Sequence, residues 1–158
     1  MNISRPEEAL RVRQVRKYLS LPNNGRNDIK RTEDVTSTKV TSPNTTLTAF
    51  TQLLTWRFDA ERAIISLVDS DHQYFLAEST PGLDLDGPQE EWLWAGCSGS
   101  TSRGNALCDK TIEALAKSDE SFAIFRVEDL KSHPEFCSMP YVEGQPGFRY
   151  YCGTPLIR

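Results

Sequence analysis

The first 21 residues carry apolar positions in a helical pattern. Val12, Val15 and Leu19 recur at spacings of three and four residues, which places them on one helical face. Ser4 begins a Ser-x-x-Glu capping box, and the proline inside that box sits in the first turn, where its missing N–H does no harm. The sequence therefore predicts a basic amphipathic helix over residues 1–21.

Residues 22–46 lack any such periodicity. They are polar and rich in Asn, Thr, Ser and charge, with too little apolar surface to offset the entropy of ordering. We interpret them as a mobile linker, which leaves one folded domain over residues 47–158.

The folded part opens with a second helix. Thr45 or Thr46 is predicted as its N-cap. Its buried face is predicted to consist of four apolar side chains at helical spacing. They are Leu47, Phe50, Leu53 and Leu54.

The rest of the chain alternates strands and helices. Two runs rich in β-branched and aromatic residues, Ala63–Val68 and Gln73–Glu78, flank an acidic four-residue turn and predict a β-hairpin. A helix capped near Asn105 follows, then a strand over 122–127, a loop with a short helical turn, and a strand over 148–157. The inward positions of that helix are predicted to be Leu107, Cys108, Ile112 and Leu115. This order predicts an α+β fold with an antiparallel sheet.

Composition and charge narrow the classes of function. The 38% hydrophobic content suits a single core. The formal charge is +5 over residues 1–31 and −9 over the remainder, so the folded part should repel nucleic acid. No run approaches the roughly 18 apolar residues of a membrane span, and the N-terminus lacks the apolar core of a signal peptide. We therefore expect a cytoplasmic protein without nucleic-acid or membrane partners.

The residues that most often bind metals show no ligand spacing. The four cysteines, at positions 97, 108, 137 and 152, form no C-x-x-C pair. His72 lies in the predicted hairpin turn and His133 precedes a proline in a loop. We therefore predict neither a disulfide framework, nor a metal site, nor a cofactor.

Five blocks of sequence together resemble a GAF domain, and more narrowly the N-terminal GAF domain of fungal hybrid histidine kinases. They are "FTQLLTWRFDAERAIISLVDSDHQYFLAEST", "LWAGCS" with "ALCDKTI", "VEDLKSHPEF", "PYV" and "GFRYYCGTPL". The resemblance runs from about Leu47 to the last residue. It implies an antiparallel sheet with helices on one face and a small-ligand cavity beneath loops on the other.

In that family the domain is a sensory input module placed ahead of kinase and receiver domains. None of those follows in this chain, so the resemblance implies a sensory or regulatory module of phosphorelay signalling rather than an enzyme. Such a module would act by binding a small ligand or by dimerising, and we expect the N-terminal helix to carry a homodimer contact.

The resemblance also implies which residues would line a ligand cavity. They are Trp92, Trp94, Cys97, Cys108, Asp129, Phe136, Tyr141 and Arg149. An equally weighted alternative is that the aromatic members simply fill the core. His133 and Glu135 stand where the family carries an aspartate and an arginine, so the family ligand does not transfer directly.

Two further alternatives remain open. Cys97, Cys108 and Cys137 resemble the cysteines of free methionine-R-sulfoxide reductases, a GAF branch of small thiol enzymes. The chain also ends where a complete GAF domain would add one more central strand, which suggests a truncated domain. A missing strand predicts either two separate half-sheets or direct pairing of strand 63–68 with strand 150–157.

Overall fold

The computed structural model describes most of the chain in six stretches. They are residues 5–19, 42–84, 93–95, 99–105, 107–117 and 122–156. Helices and antiparallel strands make an α+β fold, which confirms the predicted class. The chain divides into two compact units: Val12–Ser102, and a second unit that joins Met1–Arg11 to Arg103–Arg158. Most of the predicted linker, residues 22–41, lies outside the described residues.

Helix α1 spans Arg5–Leu19, inside the range predicted for the first helix. Val12 and Val15, two of its three predicted apolar positions, are buried. Near its N-terminus, Glu8 accepts hydrogen bonds from Arg11 and pairs with the guanidinium of Arg103. Val12 and Val15 are therefore covered within the chain, and the side chain of Leu19, the third predicted position, lies outside the described residues.

Helix α2 spans Thr45–Phe58 and begins at a different cap from the one predicted. Asn44 is the N-cap, because its side-chain oxygen accepts hydrogen bonds from the backbone N–H groups of Thr46 (3.1 Å) and Leu47 (3.3 Å). The prediction of Thr45 or Thr46 as the cap is wrong. Asparagine satisfies the unpaired amides of a first turn at least as well as threonine does.

The predicted buried face of α2 is also wrong for three of its four residues, and the fourth, Leu47, is half-buried. Phe50, Leu53 and Leu54 are 56%, 56% and 40% exposed. The buried side chains are instead Thr48, Thr51 and Thr55, on the opposite side of the helix. Thr51 and Ser79 share a hydrogen bond of 2.6 Å between their hydroxyl oxygens, so the polar atoms buried there are paired.

Strands β1 (Ala63–Val68) and β2 (His72–Ser79) form the predicted hairpin. The carboxylate of Asp69 closes its turn by accepting from the backbone N–H groups of Asp71 and His72, both at 2.8 Å. Burial opposes the charge, but these hydrogen bonds hold the pKa of Asp69 below its ordinary value. The acidic turn is thereby confirmed.

A third strand, β3 (Ser100–Ser102), pairs antiparallel with the start of β2 and completes a sheet of order β1-β2-β3. The strands predicted from the sequence do not include this stretch, because its three small polar residues give no strand pattern. A short 3-10 helix, Arg103–Asn105, follows it.

The second unit contains helix α3 (Leu107–Ala116), strand β4 (Phe125–Val127), helix α4 (Pro140–Glu143) and strand β5 (Tyr151–Gly153). These elements surround one apolar core. Its buried members are Leu107, Val127, Leu130, Phe136 and Val142. On α3, Leu107 is buried, but Cys108, Ile112 and Leu115 are only half-buried.

Strands β4 and β5 pair antiparallel and form a separate two-stranded sheet. Both are shorter than the predicted strands 122–127 and 148–157. Phe122 and Ile124 are exposed, and the backbone N–H of Phe148 bonds to the carbonyl of Tyr141 rather than to a strand. The described strands thus lie in two sheets, the first of the two arrangements expected from the sequence.

Candidate functional site

The structure distributes the predicted cavity residues over both units. Trp94 belongs to the unit Val12–Ser102, and the other described members belong to the second unit. Those members are Cys108, Asp129, Phe136, Tyr141 and Arg149. Trp92 and Cys97 lie outside the described residues.

The two aromatic members of the second unit pack within it. Phe136 is 3% exposed and sits in the apolar core. Tyr141 packs beside Phe148 with ring centroids 6.0 Å apart. Burial, together with the nearby Cys108 thiol, raises the pKa of Tyr141 to about 12. These contacts are those of core residues.

The side chains of Asp129 and Arg149 form hydrogen bonds within the loops that surround them. Asp129 accepts hydrogen bonds from the hydroxyl of Ser132 (2.5 Å) and from the backbone N–H of Lys131 (2.9 Å), and these hold the pKa of its carboxyl below the ordinary value. The Nη1 atom of Arg149 donates to the backbone carbonyls of Gly147 (2.9 Å) and Val142 (3.0 Å). Both charged groups thus have partners inside the chain.

The two positions that depart from the family pattern also have local partners. The His133 ring stacks on Phe136 with centroids 4.3 Å apart. Glu135 pairs with Lys110 at 2.8 Å, and this hydrogen bond holds the pKa of the Glu135 carboxyl below its ordinary value. The acid at position 135 is therefore balanced by a base from α3.

An open groove of about 390 Å³ runs along β4 and the loop after it. Its lining residues are Phe125, Arg126, Val127, Glu128, Asp129, Ser132, His133 and Pro134. Of the predicted cavity residues that the structure describes, Asp129 alone belongs to this lining. Ligand binding by the predicted set stays a prediction.

Cys108 and Cys137 are half-buried, and Cys152 is exposed. The Cys108 sulfur accepts a hydrogen bond from the Tyr151 hydroxyl at 3.5 Å, and the thiol of Cys137 donates to the carbonyl of Pro134 at 3.9 Å. Burial raises the pKa of Tyr151 well above its ordinary value. The sulfoxide-reductase alternative also needs Cys97, which lies outside the described residues, and it stays a prediction.

Neither a metal cluster nor a membrane helix occurs in the stretches that the structure describes. No group of three His, Cys, Asp or Glu side chains there could hold a metal ion. None of the helices in those stretches is long and apolar enough to cross a bilayer.

The unit Val12–Ser102 contains a buried carboxylate that was not predicted from the sequence. Glu78, at the end of β2, is 0% exposed. Its carboxylate accepts hydrogen bonds from the backbone N–H groups of Trp94 and Ala95, both at 2.7 Å, and pairs with the guanidinium of Arg62. The hairpin register could have revealed the ion pair, because Glu78 lies opposite Ile64, two residues from Arg62 on the same face.

The same unit carries a large exposed apolar surface on α2, which we call the outer face. It consists of Phe50, Leu53, Leu54, Trp56 and Phe58, each between 40% and 70% exposed. Single exposed apolar residues are ordinary on a protein surface, but five on one short helix form a patch of the kind that marks an interaction site.

No protein-family model matches the chain. One curated relative is the cyclic di-GMP phosphodiesterase PA2567 of Pseudomonas aeruginosa, which is 32% identical over 99 residues. The matched stretch covers 63% of this chain but only 13% of that protein. The likeness therefore concerns one segment, the size of a small domain, within a much longer protein.

Proposed function

We propose that the chain is a GAF-like regulatory module of a signalling protein, and that it acts by self-association through the outer face of α2. The observation that carries this proposal is the exposed apolar surface of that helix. The likeness to one segment of a cyclic di-GMP phosphodiesterase supports a role in signalling, and the resemblance to kinase-linked GAF domains supports the same role.

A second copy of the chain fits the outer face better than a polyanionic partner does. The helix α2 itself carries no acidic residue that would repel a polyanion. Residues 32–158 as a whole, however, carry a net charge of −9, and this charge disfavours binding to nucleic acid. The five side chains offer on the order of 500 Å² per copy. Two copies would thus bury about 1,000 Å², the lower limit for a specific interface.

We assign the proposed contact to α2 rather than to the N-terminal helix expected from the sequence. Val12 and Val15 are buried within the chain, so α1 has less apolar surface to offer a partner. In a longer protein, association through α2 would bring the domains attached to each copy side by side. That geometry would suit a phosphorelay sensor or a regulator of cyclic di-GMP turnover.

Analytical ultracentrifugation of the full chain tests this proposal. We expect the weight-average mass to rise with concentration towards that of a dimer. Leu53→Glu should weaken the association at least about tenfold, because the contact would bury an unpaired carboxylate. Leu156→Glu is the matched control, since Leu156 is 84% exposed in the other unit and undergoes the same chemical change.

Two results would contradict the proposal. The wild-type chain could stay monomeric at every concentration, or the two Leu→Glu variants could associate equally well. Deleting residues 1–21 adds a comparison, since a loss of association there with none in Leu53→Glu would assign the contact to α1 instead.

A further inference from the structure

Glu78 is completely buried, and among the described residues its carboxylate accepts hydrogen bonds from the side chain of Arg62 and from the backbone N–H groups of Trp94 and Ala95. One carboxylate oxygen accepts from the backbone N–H of Trp94 and from Arg62, and the other accepts from the backbone N–H of Ala95. The Arg62 side chain remains 17% exposed, whereas Glu78 is fully buried. The negative charge therefore lies inside the unit, and its counter-charge lies at the edge.

Two consecutive amides that point at one anion do not belong to an extended strand. In a strand, successive N–H groups point in opposite directions, so both can reach one carboxylate only where the backbone bends. Consecutive backbone N–H groups on a concave turn form a nest that binds anions. Trp94 and Ala95 supply such a nest, and Glu78 is the anion within it.

The neighbouring contacts of this segment do not depend on the carboxylate. The indole of Trp94 stands edge-on to Phe75 with ring centroids 5.5 Å apart. Further along, the backbone N–H of Phe75 donates to the carbonyl of Gly99 at 3.0 Å, where the ladder to β3 begins. A Cβ at Gly99 would approach the carbonyl oxygen of Ala95 to 2.9 Å, so the chain runs very close to itself there.

We infer that Glu78 is an internal anionic latch: its carboxylate occupies the nest formed by Trp94 and Ala95 and holds this segment on β2. Arg62 stabilises the buried charge from the edge of the sheet. Removing the charge opens the backbone amides of Trp94 and Ala95 to exchange and leaves the hairpin paired. This inference concerns Glu78 alone and does not rest on the proposed self-association.

Two substitutions separate charge from shape. In Glu78→Gln the side chain keeps its size, but its NH₂ group cannot accept a hydrogen bond, so one of the two backbone amides loses its acceptor. Glu78→Ala removes the acetate-sized end of the side chain. Added acetate should then refill the nest, whereas acetamide, which has the same shape without the charge, should not.

Amide hydrogen exchange of the full chain, followed residue by residue by NMR, tests the inference. We expect the amides of Trp94 and Ala95 to exchange at least about tenfold faster in Glu78→Gln, because charge-assisted hydrogen bonds are lost. The matched controls are the amides of Asp69 and Phe75, which bond to backbone carbonyls at 2.9 Å and 3.0 Å and should keep their protection. Acetate should restore protection in Glu78→Ala, and Arg62→Gln should show a smaller loss at the same two amides.

Three results would overturn the latch. Protection of Trp94 and Ala95 could remain unchanged in Glu78→Gln. All four amides could lose protection together, or the variant could unfold, which would make Glu78 a determinant of the whole hairpin. Equal rescue by acetamide and acetate would mean that the nest responds to filled volume rather than to charge.

Discussion

Helix α2 buries threonines and exposes leucines, whereas the spacing of its apolar residues predicts that the leucines are buried. Two substitutions on α2 distinguish these two arrangements. Thr51→Val removes a buried hydroxyl and preserves the shape of the side chain. Leu53→Ala truncates a side chain that the structure leaves 56% exposed. Each variant has a different expected cost under the two arrangements.

The cost of Thr51→Val follows from the hydrogen bonds of the hydroxyl. The Thr51 oxygen lies 2.9 Å from the carbonyl oxygen of Thr48 and 2.6 Å from the hydroxyl oxygen of Ser79. Ser79 would lose its close partner while staying 0% exposed. We expect a loss of about 1–2 kcal/mol in the free energy of unfolding. An exposed threonine would give a change within about 0.5 kcal/mol.

The cost of Leu53→Ala follows from burial. Complete burial of a leucine is worth about 1.5–3 kcal/mol, and Leu53 buries less than half of its surface, so we expect a loss of no more than about 1.3 kcal/mol. A leucine in the core would instead cost about 2–5 kcal/mol on truncation to alanine. Leu130→Ala supplies that reference, because Leu130 is 0% exposed in the apolar core of the other unit.

Urea unfolding followed by circular dichroism measures the three variants against the wild type. The comparison requires equal denaturant slopes and must be repeated at two protein concentrations, because self-association would add to apparent stability. A loss above about 2 kcal/mol for Leu53→Ala, with less than about 0.5 kcal/mol for Thr51→Val, would refute the arrangement in which α2 buries its threonines and exposes its leucines.

Two further predictions concern the second unit. Hydrogen bonds from Arg11, together with the ion pair to Arg103, lower the pKa of Glu8 from 4.5 to about 2, so its contribution to stability is complete above pH 4.5 and is lost as the pH falls towards 2. Glu8→Gln should therefore flatten the fall in melting temperature over that window, and parallel pH profiles would contradict this. A Cβ at Gly153 would overlap the hydroxyl of Tyr151, so Gly153→Ala should cost about 1–3 kcal/mol by chemical denaturation. The loss should shrink only in part in a Tyr151→Phe background, because the Cβ would still lie 2.8 Å from the ring Cζ of residue 151 and 2.7 Å from the hydroxyl oxygen of Thr111. Unchanged stability in Gly153→Ala would contradict the clash.

The hairpin could be predicted because its signals are local. Ala63–Val68 is rich in β-branched residues, and the acidic turn supplies a side chain, Asp69, that bonds its own neighbouring amides. Strand β3 could not be predicted in the same way, since Ser100–Ser102 is a strand only through its pairing with β2. Its existence depends on tertiary contact rather than on intrinsic preference.

The buried side of α2 could not be predicted from the periodicity of its apolar residues. Helical spacing identifies the two sides of the helix, but it does not say which side meets the sheet. Thr51 is buried because Ser79 offers a hydroxyl at the contact, and a paired polar group costs little to bury. The apolar side then remains outside, against the usual expectation that the more apolar side is buried.

For the candidate site, too, some residues could be predicted from the sequence and others could not. The resemblance predicts Phe136 and Tyr141 as cavity walls, while the structure gives them contacts with core neighbours. The resemblance does not predict a role for Glu78, because a glutamate at the end of a strand is usually solvated. Only the pairing of Ile64 with Glu78 brings the carboxylate and Arg62 to one face, and this pairing follows from strand register rather than from residue type.

The size of the outer face of α2 bears on how the module would regulate. Obligate dimers commonly bury well over 2,000 Å², and the proposed contact would bury about half of that. Much of the gross hydrophobic gain would be offset by lost translational and rotational freedom, so the association should be weak and sensitive to local concentration. Tethering two copies within a larger assembly would raise their effective concentration and close the contact. An interface of this size therefore suits a regulatory module whose state depends on assembly better than it suits a permanent dimer.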